Sequence, residues 1–170
     1  AGATTGTASF TPTDDSVYEG NETGIVAIDT VSGGSATEDG TQSVTITITE
    51  NESSPTITLT SSASSITENA GSSLTLTATS SIVADEDITV SISTSGTGTE
   101  GTDYSTISDI TISAGATTGT VSFTPTDDSI YEGNETGIVA ISGVSGADAA
   151  ESGSQSVTIT ITENESAPTV

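Results

Sequence analysis

The acidic side chains are the residues of this sequence most able to bind a ligand. The 170 residues include 24 Asp and Glu but no Lys, Arg, His or Cys, which gives a formal net charge of −24. The chain therefore has no base for a catalytic triad, no Schiff-base amine and no phosphate clamp. Zinc loses its usual His and Cys ligands as well. Oxygen ligands remain, and these suit hard cations such as calcium.

The same composition argues against several other classes of function. A carboxylate pair for glycoside hydrolysis is conceivable, but three Tyr and two Phe leave little to line a sugar-binding cleft. We therefore predict that the chain is not an enzyme. A surface without basic residues repels nucleic acids and anionic membranes. No stretch approaches the roughly 20 apolar residues of a membrane helix, so we expect no membrane insertion.

An internal repeat divides the chain. Ala1–Ile57 aligns without gaps onto Ala114–Val170 at an offset of 113, and 46 of the 57 paired residues are identical. A period of 113 suits a whole sandwich domain rather than one turn of a solenoid. We interpret residues 1–54 as the second half of one repeat, residues 55–167 as a complete repeat and residues 168–170 as the start of the next.

The complete repeat carries the alternating pattern of half-buried strands. Leu74, Leu76 and Ala78 alternate with polar residues, and so do Val157, Ile159 and Ile161. Seven short strands separated by turn signals predict an all-β, all-antiparallel sandwich, tandemly repeated. The predicted strands are Thr56–Thr60, Ser73–Thr79, Ile88–Thr94, Ile110–Ser113, Gly119–Pro125, Thr136–Val144 and Ser156–Thr162.

Residues 1–54 alone are expected to leave their sandwich open. Either strands upstream complete it, or another chain supplies them by adding strands at an open edge. In the second case the chain would be a subunit of a fibre assembled by strand complementation.

Four sequence blocks of the complete repeat, in order and spacing, resemble a Calx-beta domain. They are Ser65–Gly71, Gly101–Tyr104, Thr126–Glu135 and Val157–Glu165. The last block departs from the family, because Glu163-Asn164-Glu165 stands where an Asp-rich end is usual. The resemblance implies an immunoglobulin-like sandwich that binds calcium (Ca2+) at one end.

The resemblance also implies a set of calcium ligands. In the complete repeat they are Glu68, Asp103, Asp127, Asp128, Glu132 and one or both of Glu163 and Glu165. In the first half the matching acids are Asp14, Asp15, Glu19, Glu50 and Glu52. That second set is expected to be incomplete, since its counterparts of Glu68 and Asp103 would lie upstream.

Other polar residues are expected to be solvated. We interpret Asp85–Asp87 as an exposed loop, and Glu38, Asp39, Asp109, Asp148 and Glu151 as surface charges. Asn-x-Ser/Thr sequences leave glycosylation open at Asn21, Asn51, Asn134 and Asn164.

These features together predict a structural extracellular or cell-surface module, a calcium-rigidified stalk or filament of an adhesin-like protein. Its partners would be neighbouring repeats of the same chain, or identical chains in a fibre. Proline in the Ser166–Pro168 linker and calcium beside it would stiffen each junction. A calcium-sensing regulatory module is the alternative, although near-identical tandem repeats favour the stalk.

Overall fold

The computed structural model describes residue 2 and residues 4–170, and these residues form strands and loops. No helix long and apolar enough to cross a membrane occurs among them. The thirteen strands are β1 Val17–Tyr18, β2 Glu22–Ala27, β3 Ser43–Ile48, β4 Thr56–Ser61, β5 Ser65–Thr67, β6 Leu74–Ser80, β7 Val83–Ala84, β8 Ile88–Gly96, β9 Ile110–Ile112, β10 Thr118–Phe123, β11 Glu135–Ser145, β12 Ala150–Glu151 and β13 Ser156–Thr162.

The complete repeat is a sandwich of two sheets. One sheet has the order β10-β6-β4-β12 and the other β5-β13-β11-β8-β9. The predicted alternation is confirmed, because Leu76 and Ala78 of β6, and Ile159 and Ile161 of β13, are buried between the sheets. All seven predicted strands are present, with ends that differ by at most two residues.

An aromatic pair lies in the core beneath the loops that follow β8 and β10. The rings of Tyr104 and Phe123 stack with centroids 4.7 Å apart and an angle of 20° between their planes. Both residues are at most 1% exposed. Gly137 of β11 faces this pair, so a close approach between the strand and the rings is built into the sheet. The pair therefore anchors the loop ends where the acidic residues converge.

The prediction that all strand pairs are antiparallel is wrong. The long ladders are antiparallel, but β5 pairs in parallel with β13 and β12 with β4. After β4 the chain crosses at residues 62–64 to the opposite sheet and continues in the same direction. It then meets β13 as an edge strand, which gives a parallel pair without a crossover helix. The sequence pattern missed β5, β7 and β12 because each is too short to show a period.

The first half of the chain forms an open ladder. Strands β2 and β3 pair antiparallel with Glu22 opposite Ile48, the register that β11 and β13 have with Glu135 opposite Ile161. Phe10 and Val26 are 43% and 44% exposed, whereas their counterparts Phe123 and Val139 are fully buried. Residues 4–54 therefore expose an apolar face, whereas the equivalent face in the complete repeat is covered by its own strands β4 to β9.

The two parts of the chain meet through β1. Strand β1 pairs in parallel with β7, and the Tyr18 side chain packs into the core of the complete repeat. Its hydroxyl donates to Asp148 Oδ2 at 2.8 Å. Asp148 was predicted to be a solvated charge, and its side chain is exposed, but it also anchors this junction. Asp85–Asp87 are exposed as predicted, and their loop contributes the Asp85 amide to the junction.

Candidate metal site

Four loops bring acidic residues together at one end of the complete repeat. Glu68 follows β5, Asp103 lies in the loop after β8, and Asp127, Asp128 and Glu132 lie between β10 and β11. The exit of β13 carries Glu163 and Glu165. Strand β5 runs parallel to β13, so the loops that follow these two strands lie at the same end of the sandwich. Strand β11 is antiparallel to both β13 and β8, so it begins at the end where β13 and β8 finish. The acidic loops therefore share one end of the sandwich. The backbone supports this, since Glu68 N donates to Thr162 O at 3.0 Å.

The Glu163 carboxylate is fully occupied by backbone amides. Its Oε2 accepts from Glu132 N at 2.6 Å and Gly133 N at 2.8 Å. Its Oε1 accepts from Asn164 N and Glu165 N, each at 2.9 Å. The amides of Glu165 and then Glu132 lower the pKa of Glu163 to about 2. This ionised side chain ties the loop before β11 to the end of β13.

Gly133 enables that contact. Its φ of +79° lies in the left-handed region, which L side chains rarely adopt. The turn lets consecutive amides, those of Glu132 and Gly133, converge on one oxygen. The Glu163 carboxylate, held by four backbone amides, thus fixes the loop that carries Asp127, Asp128 and Glu132.

Glu68 and Glu165 have the opposite environment. Glu68 is only 9% exposed. Burial raises its pKa to about 7 from an ordinary 4.5, helped by the negative charges of Glu163, Glu165 and the two aspartates 127 and 128. Glu165 Oε2 is buried without a hydrogen-bond partner within the described residues. The pKa of Glu165 is raised by its contact with the Glu163 carboxylate and by burial.

The acids form three groups in which one oxygen from each member lies within 4.8 Å of the others. The groups share Glu68 and Glu132, so they form a continuous chain of carboxylates. They are Glu68 with Glu163 and Glu165, Glu68 with Asp128 and Glu132, and Asp103 with Glu132 and Glu135. Six of the seven predicted residues of the complete repeat are thus brought together. Asp127 lies outside these groups, although its charge acts on Glu68 and Glu165.

The first half repeats the tether formed by Glu163, in which one carboxylate binds backbone amides of the loop before β11, but it does not repeat the cluster of acidic side chains. The Glu50 carboxylate accepts from Glu19 N at 2.6 Å, Gly20 N and Glu52 N, and its pKa is about 2, lowered first by the Glu52 amide. The Asp14 carboxylate accepts from Asn51 Nδ2, and the Asp15 carboxylate from Val17 N. In residues 4–54, however, the acids Asp14, Asp15, Glu19, Glu50 and Glu52 form no group of three at 4.8 Å.

The sequence model of the Calx-beta domain matches residues 1–52 and again residues 50–165. The chain belongs to the Calx-beta family. Calx-beta domains are known as calcium-binding regulatory modules. No curated protein sequence matches the chain.

Two solved structures share the Calx-beta fold with this chain. The crystal structure of the apo form of the Calx CBD1 domain is 17% identical and has a TM-score of 0.52, covering 64% of this chain and 98% of that one. The crystal structure of CBD12 from CALX1.2 is 18% identical with a TM-score of 0.50, covering 58% of this chain and 40% of that one. At these identities the likeness concerns the fold alone.

Sequence reasoning missed one member of this Calx-beta acidic end. Glu135, the first residue of β11, belongs to the group with Asp103 and Glu132. Its pKa is raised by burial and then by the charges of Asp103 and Glu132. The signal was present, since Glu22 occupies the same place in the first half. The resemblance assigned no ligand to Glu135, which lies directly before the predicted strand Thr136–Val144.

The asparagines left open for glycosylation contact the acidic loops. Asn134 Oδ1 accepts from Glu163 N at 3.1 Å, and Asn21 Oδ1 accepts from Glu50 N at 2.9 Å. Asn164 Nδ2 donates to Glu165 Oε1 at 3.1 Å. These contacts give each asparagine a role in orienting the loops, and glycosylation stays a prediction.

Proposed function

We propose that the complete repeat binds calcium at its acidic end and that the ion stiffens a stalk or filament of tandem repeats outside the cell. The observation that carries the proposal is the buried Glu165 Oε2, which has no hydrogen-bond partner among residues 2 and 4–170. An oxygen of Glu165 lies within 4.8 Å of one from the buried Glu68. Leaving such an oxygen unpaired costs free energy. A hard cation would supply the missing partner, because the donors at this site are oxygens.

The residues divide into two roles. Glu68, Asp103, Asp128, Glu132, Glu135 and Glu165 would hold the ion, with Asp127 adding negative charge. Glu163 would act as a positioning residue, because four backbone donors already occupy its oxygens. When bound, the ion would cancel the repulsion among the carboxylates and link the four loops.

Calcium-dependent thermal unfolding tests this proposal. We expect millimolar calcium to raise the unfolding midpoint far more than magnesium does at the same ionic strength. The double variant D127N/D128N should lose most of that rise, because it removes one ligand and a neighbouring charge. The matched control D14N/D15N changes the same pair in the first half, where no group of three acids forms, and should keep most of it. Equal effects of both double variants, or none of calcium, would refute the site.

The stalk and the sensor differ in affinity. Extracellular modules bind calcium at about 0.1–1 mM and intracellular sensors at about 0.1–10 μM. The recurrence of the Glu50 and Glu163 tethers at equivalent positions supports many similar units, as a stalk requires. Titration calorimetry that gives a micromolar dissociation constant would favour the sensor. In that case the length of a multi-repeat chain, measured by small-angle scattering, should not change with calcium. A stalk should become longer when calcium is added.

The exposed apolar face of residues 4–54 supports strand complementation as a second candidate. The occupant would be strands with the sequence of residues 55–113, supplied by another copy, since such strands cover the equivalent face of the complete repeat. The chain in solution would then have a mass above 16.6 kDa. The variant V26D, at a site 44% exposed, should return it to the monomer. A monomer at high concentration before any substitution would exclude this assembly.

A further inference from the structure

Two large apolar side chains stand exposed in the acidic loop of the complete repeat. Ile130 is 61% exposed and Tyr131 is 44% exposed. They lie between Asp128 and Glu132, on a surface that is otherwise polar and strongly negative. Apolar surface rimmed by polar residues is a feature of interaction sites.

The first half of the chain contains an equivalent pair whose tyrosine is buried. Val17 and Tyr18 occupy the equivalent positions 113 residues earlier, and Tyr18 is only 8% exposed. They form β1, which pairs in parallel with Val83 and Ala84 of β7. Tyr18 O accepts from Asp85 N at 3.1 Å. The contact is therefore made of backbone pairing, a buried ring and the Tyr18 hydroxyl bond to Asp148.

Both pairs are presented by the same local geometry. Val17 N donates to Asp15 Oδ1 at 2.8 Å, and Ile130 N donates to Asp128 Oδ1 at 2.6 Å. The amides that follow each tyrosine donate to Glu50 and Glu163 respectively, at identical distances of 2.6 and 2.8 Å. The loop around Tyr131 is thus already arranged as the loop around Tyr18 is, and only its partner differs.

The chain that follows the exposed pair also matches. Pro168-Thr169-Val170 repeats Pro55-Thr56-Ile57 except for the last residue. Pro55 is buried, and its carbonyl accepts from Ala150 N at 3.0 Å, which fixes the entry into the complete repeat. The equivalent linker after Ile130 and Tyr131 would place a following repeat against them as the complete repeat lies against Val17 and Tyr18.

We propose that Ile130 and Tyr131 form a docking edge for a further copy of the complete repeat. That copy would offer its counterparts of Val83–Ala84, Asp85 and Asp148 to the edge. This deepens the proposed function and rests on it, since it names the contact that joins consecutive units of the stalk. Asp128 and Glu132 flank the edge, so proposed calcium ligands and docking residues share one loop.

Tyrosine nitration in a lengthened chain tests the proposal. The full chain is extended after Val170 by a second copy of residues 58–170, in which the counterpart of Tyr131 is changed to Phe. Tetranitromethane and mass spectrometry then measure each tyrosine. In the original chain Tyr131 should react and Tyr18 should be protected. In the lengthened chain Tyr131 should lose its reactivity and match Tyr18, while the buried Tyr104 reports that the fold is intact.

A matched substitution locates the contact. D148A in the original chain should raise the reactivity of Tyr18 and leave Tyr131 unchanged. The same change made only in the appended copy should restore the reactivity of Tyr131. If Tyr131 reacts equally in the original and lengthened chains, the docking edge is wrong. Calorimetry on the same samples reports calcium binding separately, so a failed junction with intact binding is distinguished from a failed calcium site with an intact junction.

Discussion

The carboxylates of Glu163 and Glu165 lie two residues apart and in contact, yet their surroundings are opposite. Glu163 accepts four backbone hydrogen bonds, whereas Glu165 Oε2 is buried without any within the described residues. The first arrangement favours a charge and the second penalises it. One acid therefore holds the fold, and the other is suited to a cation.

Exchanging each of these acids for its amide should give effects of opposite sign. E163Q should lower the unfolding midpoint with and without calcium, because a neutral amide cannot accept from four donors. E165Q should raise the midpoint in chelator, because it removes a repelled charge, and should weaken calcium binding by at least about tenfold. Thermal unfolding and calorimetry measure the two effects. The counterparts E50Q and E52Q are the controls, and an E52Q effect on calcium affinity as large as that of E165Q would contradict the assignment.

The stability of the calcium-free protein should peak in mildly acidic solution. Glu68 has a folded pKa of about 7 against an ordinary 4.5, so its stabilising protonation is complete below pH 4.5 and is lost as the pH rises to about 7. Glu163 and Glu50 have folded pKa values of about 2, so their contribution is present above 4.5 and is lost as the pH falls towards 2. Unfolding in chelator should therefore show a higher midpoint near pH 5 than near pH 8.

The variant E68Q tests the loss of stability between about pH 5 and pH 8. It should raise the midpoint near pH 8 and change little near pH 5, where Glu68 is already protonated. Saturating calcium should also reduce this loss in the unchanged protein. A wild-type profile that rises from pH 5 to pH 8 in chelator would show that Glu68 titrates normally.

Glu135 should behave as part of the calcium site although it lies in a strand. E135Q removes one of three acids within 4.8 Å and should weaken calcium binding or reduce the number of bound ions. It should also raise the midpoint in chelator, because burial and the charges of Asp103, Glu132 and Glu163 raise the pKa of Glu135. Calorimetric stoichiometry is the measurement, and E22Q in the first half is the control. Unchanged stoichiometry and affinity in E135Q would remove this residue from the site.

The sequence predicted the features that depend on the hydrophobic period of a strand or on the internal repeat. Strands such as β6 and β13 alternate in sequence, and Leu76, Ala78, Ile159 and Ile161 are buried as the alternation predicted, although Leu74 and Val157 are only half-buried. The convergence of the acidic loops followed from the Calx-beta resemblance. The parallel edge strand β5 was not predictable, because three residues carry no pattern and its position depends on a crossing between sheets. The opposite environments of Glu163 and Glu165 depend on backbone amides, whose directions no side-chain pattern reveals.

The aromatic pair beneath the site gives a prediction about packing alone. A Cβ added at Gly137 would lie 2.8 Å from the Phe123 ring, which is buried and stacked on Tyr104 and cannot move aside. G137A should therefore destabilise the protein by about 1–3 kcal/mol, the usual cost of overpacking. Gly24 is the matched control, since its Cβ would lie 3.0 Å from the ring of Phe10, which is 43% exposed and free to shift.

Urea unfolding of the two variants decides this last point. G24A should be neutral or slightly stabilising, because alanine restricts the unfolded chain more than glycine does. G137A should also weaken calcium binding, because Tyr104 and Phe123 support the loops that carry Asp103 and Asp127. Equal stabilities of the two variants would mean that the Tyr104–Phe123 pair yields to the methyl group, and that the acidic loops are held by the Glu163 tether without support from the core.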